Sequence, residues 1–125
     1  MLNLQPSHAS EISFSDDGKY LYAANRGHDS IAVFELKADL SLSLVEIVPS
    51  GGRVPWTMSF VDVPTADHQL MLVQNEFSGT STEPVPPGNL TVFRRDRSTG
   101  RLTTTGHTAV IGKPMFVDVL PDPNK

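Results

Sequence analysis

Apolar and polar residues alternate in short runs along this chain, and each run ends at Gly, Asp, Asn or Pro. The pattern predicts strands at EISFS (11–15), YLYAAN (20–25), SIAVFEL (30–36) and LSLVEIV (42–48). A second group follows at WTMSFVD (56–62), QLMLVQN (69–75), NLTVFRR (89–95) and LTTTGHTAV (102–110). A ninth run, MFVDVLP (115–121), lies near the C-terminal end. Val, Ile, Thr, Phe and Tyr dominate these runs, and a two-residue alternation puts successive side chains on opposite faces of a strand. DDG, GGR, PPG and STG supply the turns between them. No segment carries a 3.6-residue period, so the reading is all-β.

The runs also repeat as a set. IAVFEL at Ile31 matches LTVFRR at Leu90, and VPW around Pro55 matches KPM around Pro114, both at an offset of 59 residues. Asn25 and Asn75 end equivalent strands 50 residues apart, the difference being taken up by EFSGTSTEPVPPG (76–88). Four short strands in a repeat of roughly 40–50 residues describe a propeller blade. A nine-strand sandwich fits the length but gives no reason for the repeat. Since a propeller needs at least about four blades to close, the expectation is a β-propeller fragment. Its parts are two four-stranded antiparallel blades (11–48 and 56–110) and a closing C-terminal strand (115–121), within 1–125 as the C-terminal part of a larger propeller.

Composition narrows the chemistry. The 125 residues suffice for one domain, and 38% apolar content is ordinary for a globular protein. A net charge of −4 leaves no basic footprint for nucleic acid. The basic cluster RRDR, Arg94 to Arg97, contains its own acid and reads as a solvated turn. With no cysteine there is no disulfide framework, thiolate metal site or cysteine nucleophile. No run approaches the ~18 apolar residues of a membrane span, and the N-terminus lacks a signal-peptide pattern. A cytoplasmic protein without a membrane partner is the expectation.

SEISFSDDGKYLYAANRGHDSIAVFEL, from Ser10 to Leu36, resembles the blade pattern of the lactonase family of seven-bladed propellers. That family includes propeller-type 6-phosphogluconolactonases and carboxymuconate-lactonizing enzymes. The elements that carry the resemblance are Ser10-Glu11-Ile12, the turn and strand Asp17 to Tyr22, the pair Asn25-Arg26, and Ser30 to Phe34. STGRLTTTGHTAVIGKPMFVDV resembles the family's last outer strand and closing strand. One departure stands out: Trp56 follows Pro55 where the family commonly has an arginine, and Arg53 lies on the other side of the proline. The resemblance implies lactone hydrolysis by the full-length propeller, 6-phosphogluconolactonase-like, on a small-molecule lactone or sugar-acid substrate. Muconate-lactonizing isomerase chemistry, or a non-catalytic fragment acting as an interaction module, are the alternatives.

Antiparallel alternation gathers Glu11, Asn25, Arg26, His28, Asp29, Arg53, Trp56, Asn75 and His8 at one rim. Such a mouth is where small ligands bind in propellers. Glu11 is a candidate general base toward a water attacking a lactone carbonyl, or else a cap or ion-pair partner of Arg26. Arg26 suits a carboxylate or phosphate clamp or an oxyanion, or else a structural stack. His28 has the proton affinity for transfer near neutrality, unless it is merely solvated. Asn25 serves the turn through its tolerance of left-handed backbone and stands beside the substrate. If the family arginine holds the substrate's anionic group, either Arg53 replaces it or the substrate differs, and Trp56 is either a platform for a sugar-like ring or packing between blades. No cofactor and no metal are expected. Free sheet edges are expected to favour association.

Overall fold

The computed structural model describes residues 8–63, 67–77 and 87–111. Eight strands are present: β1 (His8–Phe14), β2 (Tyr20–Arg26), β3 (Ser30–Leu36), β4 (Leu42–Pro49), β5 (Arg53–Asp62), β6 (His68–Phe77), β7 (Gly88–Asp96) and β8 (Leu102–Ile111). They form two antiparallel four-stranded sheets in sequence order, β1-β2-β3-β4 and β5-β6-β7-β8. Each of the first eight predicted runs is a strand, and the ninth (115–121) lies outside the described residues. Among the described residues there is no helix, hence none that is long and apolar enough to cross a membrane.

β1 and β5 each begin three residues earlier than alternation predicts, because bulges interrupt the alternation there. On β1 the register shifts between Ala9 and Glu11, leaving Ser10 extra; on β5 it shifts between Pro55 and Thr57, leaving Trp56 extra. An extra residue bends a strand and re-aims the side chains around it. Pro55 is tolerated inside β5 because β5 pairs on one side only, with β6.

The two sheets pack face to face. Tyr20, Tyr22, Ala24, Ile31 and Val33 of the first meet Met58, Met71, Val73, Phe93 and Leu102 of the second, and Phe60 packs against this cluster. The Tyr22 and Phe60 rings meet edge to face, with centroids 5.5 Å apart. Tyr20 and Tyr22 also reach across the junction with their hydroxyls, donating to the carbonyls of Ser98 and Gly100 at 2.7 Å.

Arg95 overturns the solvated reading of the RRDR cluster. Its side chain is fully buried, with Nε donating to the Tyr22 hydroxyl (2.7 Å) and Nη1 to Gln69 Oε1 (2.9 Å). The guanidinium lies 5.7, 5.6 and 6.0 Å from the ring centroids of Tyr20, Tyr22 and Phe60. Alternation explains the reversal: Phe93 and Arg95 share the face turned to the first sheet, while Arg94 is exposed. Arg97 does lie in the β7–β8 turn, where it bridges Asp62 (2.8 Å) and Asp16 (3.5 Å).

Candidate functional site

The connection from β4 to β5 brings one end of the first sheet against the start of the second. Three side chains of the second sheet grip it by its carbonyls. Asn75 Nδ2 and Thr91 Oγ1 donate to Ser50 O (3.2 and 2.8 Å), and Asn89 Nδ2 donates to Gly51 O (3.0 Å). A Cβ on Gly52 would stand 2.6 Å from Asn89 Oδ1 and 2.8 Å from Asn75 Cβ, so only glycine fits between these two amides. Asn75 and Asn89 face each other in register on β6 and β7.

From the first sheet, Asp29 holds the same segment. Its carboxylate accepts the Val54 amide (2.9 Å) and the Gly27 amide (3.3 Å), and its carbonyl accepts the Ser50 amide (3.0 Å). Val54 has a φ of 58°, a left-handed conformation that a β-branched residue adopts only when its surroundings enforce it. The turn chemistry corrects one expectation. The left-handed residues between β2 and β3 are Gly27 (φ 93°) and Asp29 (φ 57°), not Asn25. Asn25 closes the turn by accepting the Asp29 amide at its carbonyl (2.8 Å) and donates through Nδ2 to Ser30 Oγ (3.3 Å).

Residues 54–58 of β5 are the meeting point for the candidates. Ser10, the bulged residue of β1, donates to Pro55 O at 2.6 Å, and Glu11 Oε2 accepts the Met58 amide. β1 therefore supplies by side chain the partners that a strand paired on one side lacks. Burial raises the Glu11 carboxyl above its ordinary value of 4.5, and the Met58 N–H offsets part of the rise. Arg26 lies over the Trp56 ring, 5.5 Å from its centroid, and its Nε is buried without a hydrogen-bond partner. Among the described residues no carboxylate pairs with Arg26, so the alternative of a Glu11–Arg26 ion pair is not realised. Trp56 is half-buried as the floor of this stack.

Two candidates stand apart. Arg53 turns toward β6 and stacks over Phe77, 5.5 Å from the ring centroid. His28 is exposed and directs Nδ1 to Ser30 Oγ (2.7 Å). It lines a shallow cavity of about 220 Å³ with Asp29, Ser30, Ile47, Val48 and Pro49, on the β4 side rather than beside Glu11. His8 belongs to β1, opposite Arg26 in register. Asn75 is fully buried, committed to the linker. Sequence reasoning missed Ser10, Ser50, Val54 and Asn89. The G-G-R run at Gly51 to Arg53 was a visible signal of a tight connection, but nothing in it marked the side chains that grip it. Among the described residues no three His, Asp or Glu side chains cluster as metal ligands would.

Residues 4–119 match the protein family described as Lactonase, 7-bladed beta-propeller. The chain is 39% identical over 115 residues to the 6-phosphogluconolactonase of Bacillus subtilis, covering 91% of this chain and 29% of that protein. Among solved structures it resembles a periplasmic gluconolactonase of Pseudomonas aeruginosa, with a TM-score of 0.71 and 27% identity over 90% of this chain and 28% of that one. It also resembles a putative 6-phosphogluconolactonase of Bacteroides fragilis, with a TM-score of 0.64 and 29% identity over 86% of this chain and 27% of that one. The chain thus spans under a third of the length of each of these relatives.

Proposed function

Because the chain belongs to the seven-bladed β-propeller lactonase family, we propose that it forms part of a lactone-hydrolysing propeller, acting on a phosphorylated or acidic sugar lactone. The observation that carries this reading is the Arg26 stack. A guanidinium partly removed from water, lying over Trp56, with a buried Nε and no described carboxylate paired with it, has the chemistry to bind an anion. Glu11 bonds the same short segment of β5 that carries Trp56.

In this reading water is the nucleophile. The Glu11 carboxylate takes a proton from water as oxygen attacks the lactone carbonyl. Arg26 holds the substrate's anionic group or steadies the oxyanion that develops at that carbonyl. Collapse of the tetrahedral species then breaks the ring C–O bond, and the protonated Glu11 returns its proton to the departing ring oxygen, which releases the hydroxy acid and restores the carboxylate. Burial raises the Glu11 proton affinity, which strengthens it as a base. His28, on the far side of the turn, has no part in this step. Asn25 and Arg53 shape the rim rather than touch the reacting atoms, and the same reading places the enzyme in the cytoplasm, which cell fractionation checks. The rival reading is structural: Glu11 staples two sheets, and the rim carries no chemistry.

Lactone hydrolysis by the purified protein separates the two. Glu11→Gln keeps an oxygen for the Met58 amide but cannot act as a base. It should lower kcat by on the order of 10²-fold or more with the fold intact. Arg26→Ala should raise KM for an anionic lactone more than for a neutral one. Equal rates in wild type, Glu11→Gln and Arg26→Ala would sink the catalytic reading.

A further inference from the structure

Two bulges meet where β1 lies against β5. On β1, Ala9 pairs with Asn25 and Glu11 with Ala24, so Ser10 has no register partner on β2. On β5, Pro55 pairs with Asn75 and Thr57 with Gln74, so Trp56 has none on β6. In an unbroken strand consecutive side chains point to opposite faces. Ser10 and Glu11 are consecutive, yet both reach β5: the Ser10 hydroxyl donates to Pro55 O at 2.6 Å, and Glu11 Oε2 accepts the Met58 amide. The extra residue in β1 permits this, since a bulge re-aims the side chains beside it.

Pro55 O belongs to the peptide plane that joins Pro55 to Trp56. That plane sets the direction in which the Trp56 side chain leaves the backbone, and the ladder with β6 offers no partner to set it instead. The Ser10 hydroxyl also stands 3.5 Å from Ala24 O, but it has one proton to give, and Pro55 O is the nearer acceptor. Trp56 in turn carries Arg26, whose Cζ lies 5.5 Å from the ring centroid and whose Nε is buried with no hydrogen bond of its own. The amides on either side of the bulge have other partners, Asp29 for Val54 and Glu11 for Met58.

We infer that Ser10 is a positioning residue: through the Pro55 carbonyl it fixes Trp56, and through the Trp56 ring it fixes the Arg26 guanidinium for an anionic substrate. The inference rests on the reading of Arg26 as the anion clamp. Ser10 itself touches neither the substrate nor the reacting atoms. Its loss therefore acts on binding. With the Pro55–Trp56 plane released, the ring no longer holds the guanidinium in one place, and an anionic lactone binds less tightly. Glu11 keeps its own bond to Met58, so the chemical step is largely spared.

Ser10→Ala removes the hydroxyl and Ser10→Thr keeps it, so the pair separates positioning from a general loss of packing. In the purified protein, acrylamide quenching of tryptophan fluorescence, taken as the difference from Trp56→Phe, reads how far Arg26 covers the ring. Ser10→Ala should raise the quenching toward the level of Arg26→Ala, and Ser10→Thr should leave it as in wild type. KM for an anionic lactone should rise about 3- to 10-fold in Ser10→Ala, the weight of one hydrogen bond, with KM for a neutral lactone and kcat little changed. Adding Ser10→Ala to Arg26→Ala should change neither readout further. Wild-type quenching and wild-type KM in Ser10→Ala would overturn the inference while leaving Arg26 as the clamp. Equal rises in KM for anionic and neutral lactones would show a merely structural serine and overturn it too. A preference for anionic lactones that survives Arg26→Ala would remove the clamp reading and this inference with it.

Discussion

Arg95 and Tyr22 are fully buried polar groups of the junction, bonded to each other, and each constrains the other. Burial pushes the Tyr22 hydroxyl up to about 12, with Arg95 pulling against the rise. A proton affinity raised in the folded state gives stability that is fully present below the ordinary tyrosine value of 10 and is lost as pH climbs toward 12. The unfolding midpoint should therefore fall across that alkaline window, and Tyr22→Phe should flatten the fall. At neutral pH the same variant leaves the Arg95 Nε unpaired and should cost about 1–3 kcal/mol. Arg95→Met should cost less, since Tyr22 keeps its bond to Gly100 and Gln69 keeps its bond to Asp62. Denaturant melts of the two variants and the double mutant measure the coupling. None of this was legible in RRDR. A basic run reads as solvated until the opposing sheet supplies two tyrosines and β5 of the same sheet a phenylalanine, and those lie more than thirty residues away in sequence.

At the scale of elements, alternation and turn residues gave the eight strands correctly, because both are local properties. What escaped was the bulges. Ser10 and Trp56 break the two-residue period, and only a partner strand reveals which residue is the extra one. The candidate site suffers from the same blindness. Glu11 and Arg26 were readable as rim residues, yet their separate commitments to Met58 and Trp56 depend on where β5 sits. The turns make a sharper test. Gly100 has a φ of 75°, and a Cβ there would stand 2.4 Å from the Tyr20 ring. Gly100→Ala should destabilise by at least the 1–3 kcal/mol typical of enforced left-handed backbone, while Gly18→Ala, with nothing within 4 Å, should cost less. Thermal melts of the two variants rank them. Asp29→Ala should also weaken the fold by about 1–3 kcal/mol, since it strips the acceptor from the left-handed Val54.

For the whole molecule, the sheets share one apolar cluster, so they should unfold together. Phe60→Ala, which removes a ring from that cluster, should lower a single transition rather than split it, by about 3–5 kcal/mol if its site cannot collapse. Two transitions by calorimetry would show that each sheet stands alone. The repeat in the sequence anticipated this architecture, because an offset that recurs in several strands reports a shared three-dimensional unit. It said nothing of the linker. Ser50 and Gly51 lie between the sheets in sequence, but their carbonyls are held by Asn75, Asn89 and Thr91. The linker is thus folded into the second sheet. A protease cutting after Pro49 would meet a strand end tied down on both sides, and a chain opened there could keep its two halves docked without a peptide bond between them. The natural seam for dividing or permuting this protein lies just before Ser50, three residues ahead of where the fifth strand begins.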